Sequence, residues 1–285
     1  MTARNDSATI KAAIFSVLSQ THEDLELIVI DDCSSDDSLK IVKSIKDPRI
    51  KVIFNTKNLG PGPSRNLGLN AATGTWFAVI DADDLWTPDR LEYLLDLQSD
   101  FSSPCIVSDS ILEIDLEKRR SNLIWRDLFE EEYRSRQVQL HEYIGRRRNI
   151  IAPLIPMEII VRHKISYPNI LIGEDLFFYV AVLTAENLPI LIGRKPCYIY
   201  QRRNQRLTSN PDRILLLVKA VELCIETLRL DDKQKYAFTR KAEHLKDENH
   251  YLETKKYVRS RQFLKAIYSM IKRPKNLVVL LRQIF

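Results

Sequence analysis

Three carboxylates fall within four residues, at Asp81, Asp83 and Asp84, directly after the apolar run Trp76 to Ile80. Side chains of this type and spacing can hold a hard divalent cation, because Mg²⁺ and Mn²⁺ prefer oxygen ligands and can bridge a protein carboxylate to a substrate diphosphate. The same residues would also make a solvated acidic turn ahead of the helix that Pro88 opens, so their surroundings must separate the two readings. A second acidic pair, Asp31-Asp32, ends the apolar run Leu25 to Ile30. A third, Glu174-Asp175, follows Gly173 at the head of an apolar segment. There a carboxylate can act as general base on a substrate hydroxyl, or can stabilise a helix N-terminus by about 0.3–1 kcal/mol.

The elements that must carry these groups follow from periodicity. Ile10, Ile14, Val17 and Leu18 give a helix with one apolar face. A strand at Leu25 to Ile30 comes next, then a helix through Leu39, Ile41, Val42 and Ile45 that Pro48 ends, then the short run Ile50 to Phe54. Asn58 to Ser64 has strong turn chemistry and leads into a helix carrying Arg65 and Asn66, after which Trp76 to Ile80 forms a further strand. Such alternation predicts an α/β fold with a parallel sheet wound by right-handed crossovers. Asp31-Asp32 and Asp81-Ala82-Asp83-Asp84 would then share the sheet edge where open α/β folds place their ligands. Beyond Leu91 the pattern weakens: Cys105 to Ile114, Ile190 to Ile192 and Cys197 to Tyr200 read as strands, and from Pro211 onward the chain is helical and basic.

Composition sets the bounds. The 285 residues are 45% hydrophobic and 28% charged, which suits one large globular domain or two smaller ones. A net charge of +5 fits an acidic small molecule or an anionic membrane surface and is too weak and scattered to argue for nucleic acid. The four cysteines, Cys33, Cys105, Cys197 and Cys224, lie far apart and suggest neither a zinc site nor a disulfide framework. The sequence shows no secretory signal, and no apolar run approaches the roughly 20 residues a membrane span needs.

Taken together, Ser16 to Ser34 with its Gln20-Thr21 and Asp31-Asp32, then Asn58-Leu59-Gly60 with Arg65-Asn66, then Asp81-Ala82-Asp83-Asp84, resemble the family 2 glycosyltransferases. The match is strong to about Leu91, looser at Gly173-Glu174-Asp175 and the Tyr200 to Ser209 loop, and absent over the last seventy or so residues. The resemblance implies the GT-A fold, a mostly parallel Rossmann-like sheet flanked by helices, here with a C-terminal helical extension. It divides the chain into a donor-binding half at 1–104, an acceptor-binding half at 105–210 and a basic helical extension at 211–285.

The resemblance also implies roles. Asp32 would accept a hydrogen bond from the donor nucleobase, Thr2 and Arg4 would touch base and ribose, Arg65 would lie near the nucleotide and Asp81 would face the ribose. Asp83 would hold Mn²⁺ or Mg²⁺ on the diphosphate. Asp175 matches the family's general base and Glu174 its neighbour, while Arg202 and Arg203 could reach the diphosphate. Cys33 stands where the family usually has glycine, so the turn after Asp32 is expected to differ.

The expected activity is therefore inverting, metal-assisted transfer from a nucleotide-sugar, a UDP-sugar, to a glycan or lipid-linked acceptor. It would serve surface polysaccharide or glycolipid synthesis at the cytoplasmic face. The alternatives are a degenerate scaffold subunit and a nucleotidyltransferase; the latter needs a Gly-rich phosphate loop at the first strand, which the sequence lacks. Phe263, Ile267, Met270 and Ile271, flanked by Arg261, Lys265, Lys272, Arg273 and Lys275, suggest a peripheral membrane contact. Family members have an apolar strand directly ahead of the segment matching Met1 to Asn5. A gap about one strand wide is expected there, beside the strands at Leu25 to Ile30 and Trp76 to Ile80.

Overall fold

Leu27–Asp31 is buried at all five positions, as a strand covered on both faces must be. It is β2 in a computed structural model that describes residues 1–101, 105–115, 117–129, 133–146, 148, 150–202 and 210–272. The first part of the chain runs β1 (Thr2–Ala3), α1 (Ile10–Leu18), β2, α2 (Ser38–Ser44), β3 (Ile50–Phe54), α3 (Pro61–Ala71), β4 (Trp76–Ala78), β5 (Leu85–Trp86) and α4 (Arg90–Ser99). β6 (Ile106–Asp115), β7 (Arg120–Ile124), β8 (Ser135–Val138), α5 (Leu140–Gly145), β9 (Leu154–Pro156) and α6 (Met157–Arg162) follow. The chain continues through α7 (Glu174–Ala185), β10 (Ile190–Arg202), α8 (Arg213–Thr227), α9 (Asp232–Arg259) and α10 (Phe263–Lys272).

The α/β fold expected from the alternating pattern is present. β1, β2 and β3 form a parallel sheet in that order, with Thr2 opposite Ile30 and Ala3 opposite Asp31. The parallel arrangement does not extend through β4, which pairs antiparallel with β9. A second, mixed sheet runs β4-β9-β6-β10-β5, with β7 on β6 and β8 on β10. A bridge between Thr2 and Asp81 links the two sheets.

β1 lies between β2, its parallel partner, and the turn after β4, to which Thr2 is bridged. Beside Met1 lies a cavity of about 120 Å³, lined among others by Leu27, Ile28, Phe77, Ala78 and Val79 from the two flanking segments. The Met1 amine donates to Ile28 O at 2.8 Å, the bond a ladder N–H would make. Burial and the nearby Arg65 charge push that amine down to about 5, with Asp81 pulling the other way.

β10 is long because it serves three neighbours: β8, β6 and, at its far end, β5. Register shifts on either side of Pro196 bend it between the first pairing and the last. Beneath this bend Arg90 and Asp109 form a fully buried ion pair at 2.8 Å. Asp109 also accepts the Cys197 N–H at 3.0 Å, and Arg90 donates to Ala152 O. Among the described residues no helix is long and apolar enough to cross a membrane.

Candidate active site

The carboxyl edges of β1 and β2 converge on the turn after β4. Asp32 N–H donates to Ala3 O at 2.8 Å, which sets Ala3 beside Asp31 and Asp32, while Thr2, opposite Ile30, is bridged on its other side to Asp81. Asp32 is buried, and its carboxylate accepts from Asn55 Nδ2 at 2.9 Å, Leu59 N at 2.8 Å and Gly60 N at 2.9 Å. It therefore orders the loop that delivers α3, whatever else it binds. Cys33 has a left-handed backbone, with φ of 60°, so the turn carries the strain of a side chain in that region. Arg4 is exposed in a loop sewn to residues 34–38 through Asn5, Asp6 and Ser7.

Arg65 is the hub. From α3 its guanidinium reaches Asp81 Oδ1 at 3.0 Å, forms an ion pair with Glu174 and lies 5.7 Å from the centre of the Tyr167 ring. Two features bring α3 against the segment ahead of α7. Asn66 exchanges a reciprocal pair of hydrogen bonds with the Tyr167 backbone at 2.9 and 2.8 Å. Gly62 passes so close to Pro168 O that a β-carbon would sit 2.3 Å from it. Arg65 Nε and the Tyr167 hydroxyl are buried without a hydrogen-bond partner among the described residues.

At the head of α7, Gly173 has φ of 86°, and a β-carbon there would meet Ala220 Cβ at 2.5 Å, so only glycine starts the helix in this place. The two acidic residues that follow diverge. Glu174 turns inward to Arg65, whereas Asp175 is exposed and accepts the Leu176 N–H through Oδ1 at 2.8 Å. Burial, with the Asp175 charge beside it, pushes Glu174 up to about 7 against the opposing pull of Arg65.

Asp81, Asp83 and Asp84 each offer a carboxylate oxygen, and these atoms lie within 4.8 Å of one another. Three hard oxygen donors so placed suit a divalent cation such as Mg²⁺ or Mn²⁺. Asp84 is buried under the turn, while Asp81 and Asp83 are partly exposed. Tyr198 and Gln201 of β10, which the sequence pattern did not single out, touch this turn: the Tyr198 hydroxyl and Gln201 N–H both donate to Asp84. Tyr198 is legible in the sequence only as part of the strand at Cys197 to Tyr200, and Gln201 lies just beyond it, since pairing them with Asp84 requires the β5–β10 register. Arg202 ends β10 opposite Asp115, and its charge helps hold Glu113 below its ordinary value, after the closer effect of Arg148. Arg203, Arg273 and Lys275 lie outside the described residues, as do the side chains of Phe263, Ile267, Met270, Ile271 and Lys272.

A parallel α/β half that ends in an acidic turn, merged with a mixed-sheet half whose helix supplies a further carboxylate pair, is the architecture of the GT-A class. The Glycosyl transferase family 2 pattern matches residues 1–151, more than half of the chain, and the chain belongs to that family. The succinoglycan biosynthesis protein ExoO of Rhizobium meliloti (strain 1021) is 40% identical over 117 residues, 41% of this chain and 33% of its own length. The Escherichia coli UDP-Glc:alpha-D-GlcNAc-diphosphoundecaprenol beta-1,3-glucosyltransferase WfaP is 40% identical over 89 residues, 31% of this chain and 36% of its own. The chain thus spans about a third of the length of these curated relatives. The solved structure of the mannosyltransferase PcManGT from Pyrobaculum calidifontis, in complex with GDP-Man and Mn²⁺, superposes with a TM-score of 0.65. It covers 96% of this chain and 79% of that one at 16% identity, a likeness of fold.

Proposed function

We propose that this chain transfers a sugar from a nucleotide-sugar, a UDP-sugar, to a hydroxyl of a glycan or lipid-linked acceptor, with inversion at the sugar carbon. The observation that carries the reading is the convergence of Asp81, Asp83 and Asp84 with Arg65 and the α7 carboxylates at one sheet edge. Thr2, Arg4 and Asp32 line the nucleoside side, Asp81 the ribose, and Asp83, with Asp81 beside it, would hold Mn²⁺ or Mg²⁺. A bound cation supplies charge stabilisation for the departing diphosphate, an effect of several kcal/mol. Asp175 is the general base: it is exposed at the N-terminus of α7, where an acceptor hydroxyl can approach, whereas Glu174 is engaged by Arg65.

Polysaccharide or glycolipid synthesis at the cell envelope is the setting we favour, in keeping with the names of the two curated relatives. A peripheral contact with the inner face of the plasma membrane fits a lipid-linked acceptor. Leu264 and Tyr268 are exposed on α10, and Arg261 and Lys265 are exposed nearby. The reading is tested by titrating UDP with and without Mn²⁺. Tighter binding in the presence of Mn²⁺, lost in Asp83→Ala, supports it; binding indifferent to the cation counts against it.

A further inference from the structure

Asp84 differs from its two neighbours in the acidic turn. Only 1% of it is exposed, and both of its carboxylate oxygens accept hydrogen bonds from β10: Oδ2 from the Tyr198 hydroxyl at 2.9 Å and Oδ1 from the Gln201 N–H at 3.0 Å. Gln201 reaches the turn a second time, its side-chain Nε2 donating to the Asp83 carbonyl at 3.0 Å. The Tyr198 oxygen also lies 3.4 Å from Asp81 N, close enough to accept that N–H. Each acidic residue of the turn is therefore tied to the same four-residue stretch of a strand more than 110 positions away.

That stretch is itself held from behind. The Arg90 guanidinium lies 5.2 Å from the centre of the Tyr198 ring and 4.5 Å from that of Trp86, and Arg90 is fixed by the fully buried Asp109. Asp109 in turn accepts the Cys197 N–H. The anchor is built on a fully buried ion pair, whereas the turn, bridged to Thr2 at Asp81, has one backbone bond within it, Asp84 N to Asp81 O at 3.1 Å.

We propose that Tyr198 and Gln201 are positioning residues for the cation-binding carboxylates, acting through the Asp84 side chain and the Asp83 peptide. Asp84 anchors the turn, so that Asp81 and Asp83 would present carboxylate oxygens to a bound cation. The inference rests on the metal-assisted reading given above. Cation sites demand ligand placement to within about 0.5 Å, and losing a group that orients a ligand typically weakens metal binding about 10–100-fold.

The test is Mn²⁺ titration of the UDP-saturated protein, following the electron paramagnetic resonance signal of free Mn²⁺. Wild type, Asp83→Asn, Tyr198→Phe and Gln201→Ala are compared, with UDP affinity in EDTA and melting temperature measured on each. Tyr198→Phe and Gln201→Ala should each raise the Mn²⁺ dissociation constant about 10-fold, with metal-free UDP affinity close to wild type. Gln201→Ala should also keep the wild-type melting temperature, whereas Tyr198→Phe, which takes a donor from the buried Asp84 carboxylate, should lower it. Asp83→Asn should abolish Mn²⁺ uptake. Wild-type Mn²⁺ affinity in both β10 variants, with Asp83→Asn defective, overturns the positioning role and leaves the metal reading standing. A wild-type protein that takes up no Mn²⁺ with UDP overturns both. Should Tyr198→Phe fail to fold, Gln201→Ala, which keeps the backbone bond to Asp84, decides the matter.

Discussion

Replacing Arg65 by methionine removes the cation shared by Asp81 and Glu174 while keeping most of the side-chain volume. The Asp81 side chain is 42% exposed and can turn to water, whereas that of Glu174 is 9% exposed, so Glu174 carries the effect. In the folded chain Glu174 titrates near 7, above its ordinary 4.5. The folded form therefore keeps this proton to higher pH than the unfolded form does. Stability contributed by the group is full below 4.5 and falls as pH rises to 7, by at most about 3 kcal/mol. Without Arg65 the main pull against burial and Asp175 is gone, so the titration moves higher still and the loss extends to higher pH. Arg65→Met should cost about 3 kcal/mol at pH 8, near the lower end for breaking a buried pair, and about 1 kcal/mol at pH 6, where Glu174 is largely protonated in both proteins. Adding Glu174→Gln should recover about 2 kcal/mol at pH 8. Urea denaturation of the four proteins at both pH values supplies the cycle. Equal losses at pH 6 and 8, or no recovery in the double variant, would refute the reasoning.

Three other outcomes follow from the same structure. Asp175→Asn should leave UDP affinity within a factor of two of wild type in calorimetry while nearly abolishing transfer, because the residue acts on the acceptor; loss of UDP binding would reassign it to the donor site. Asp109→Ala strands the fully buried Arg90 and should cost about 3–5 kcal/mol in urea denaturation; a loss below about 1 kcal/mol would mean that Arg90 finds another partner. Appending four β-branched residues ahead of Met1 should raise the melting temperature, since they would fill the cavity between β2 and β4, pair the flanking backbone and convert a buried amine to an amide. An unchanged melting temperature would show that the appended residues do not enter the slot.

The β2 strand, its acidic end and the turn at Asp81 to Asp84 were legible because an apolar run that stops at carboxylates has few other uses. So was the place of Glu174 and Asp175 at the head of a helix. Which of the two faces inward was not legible, since adjacent helical positions point about 100° apart and only the approach of Arg65 decides between them. Arg90 reads from sequence as an ordinary polar residue at a helix start, yet it is completely buried against Asp109. Arg146 pairs with Asp127 and Arg148 with Glu113, partners 19 and 35 positions away that no local pattern points to. The antiparallel partner of β4 and the grip of Tyr198 on Asp84 depend on long-range register, which a one-dimensional pattern does not encode.

The central claim is that the acidic turn holds a cation on a nucleotide-sugar diphosphate for transfer of the sugar. Its most direct measurement is Mn²⁺-dependent release of UDP from a panel of UDP-sugars, by wild type and by Asp83→Ala, at saturating donor. The account predicts turnover of at least one donor, abolished by EDTA, restored by Mn²⁺ and reduced on the order of 10²–10³-fold in Asp83→Ala, as expected when a stabiliser of developing charge is removed. Turnover at the wild-type rate in Asp83→Ala, or turnover indifferent to EDTA, would contradict it.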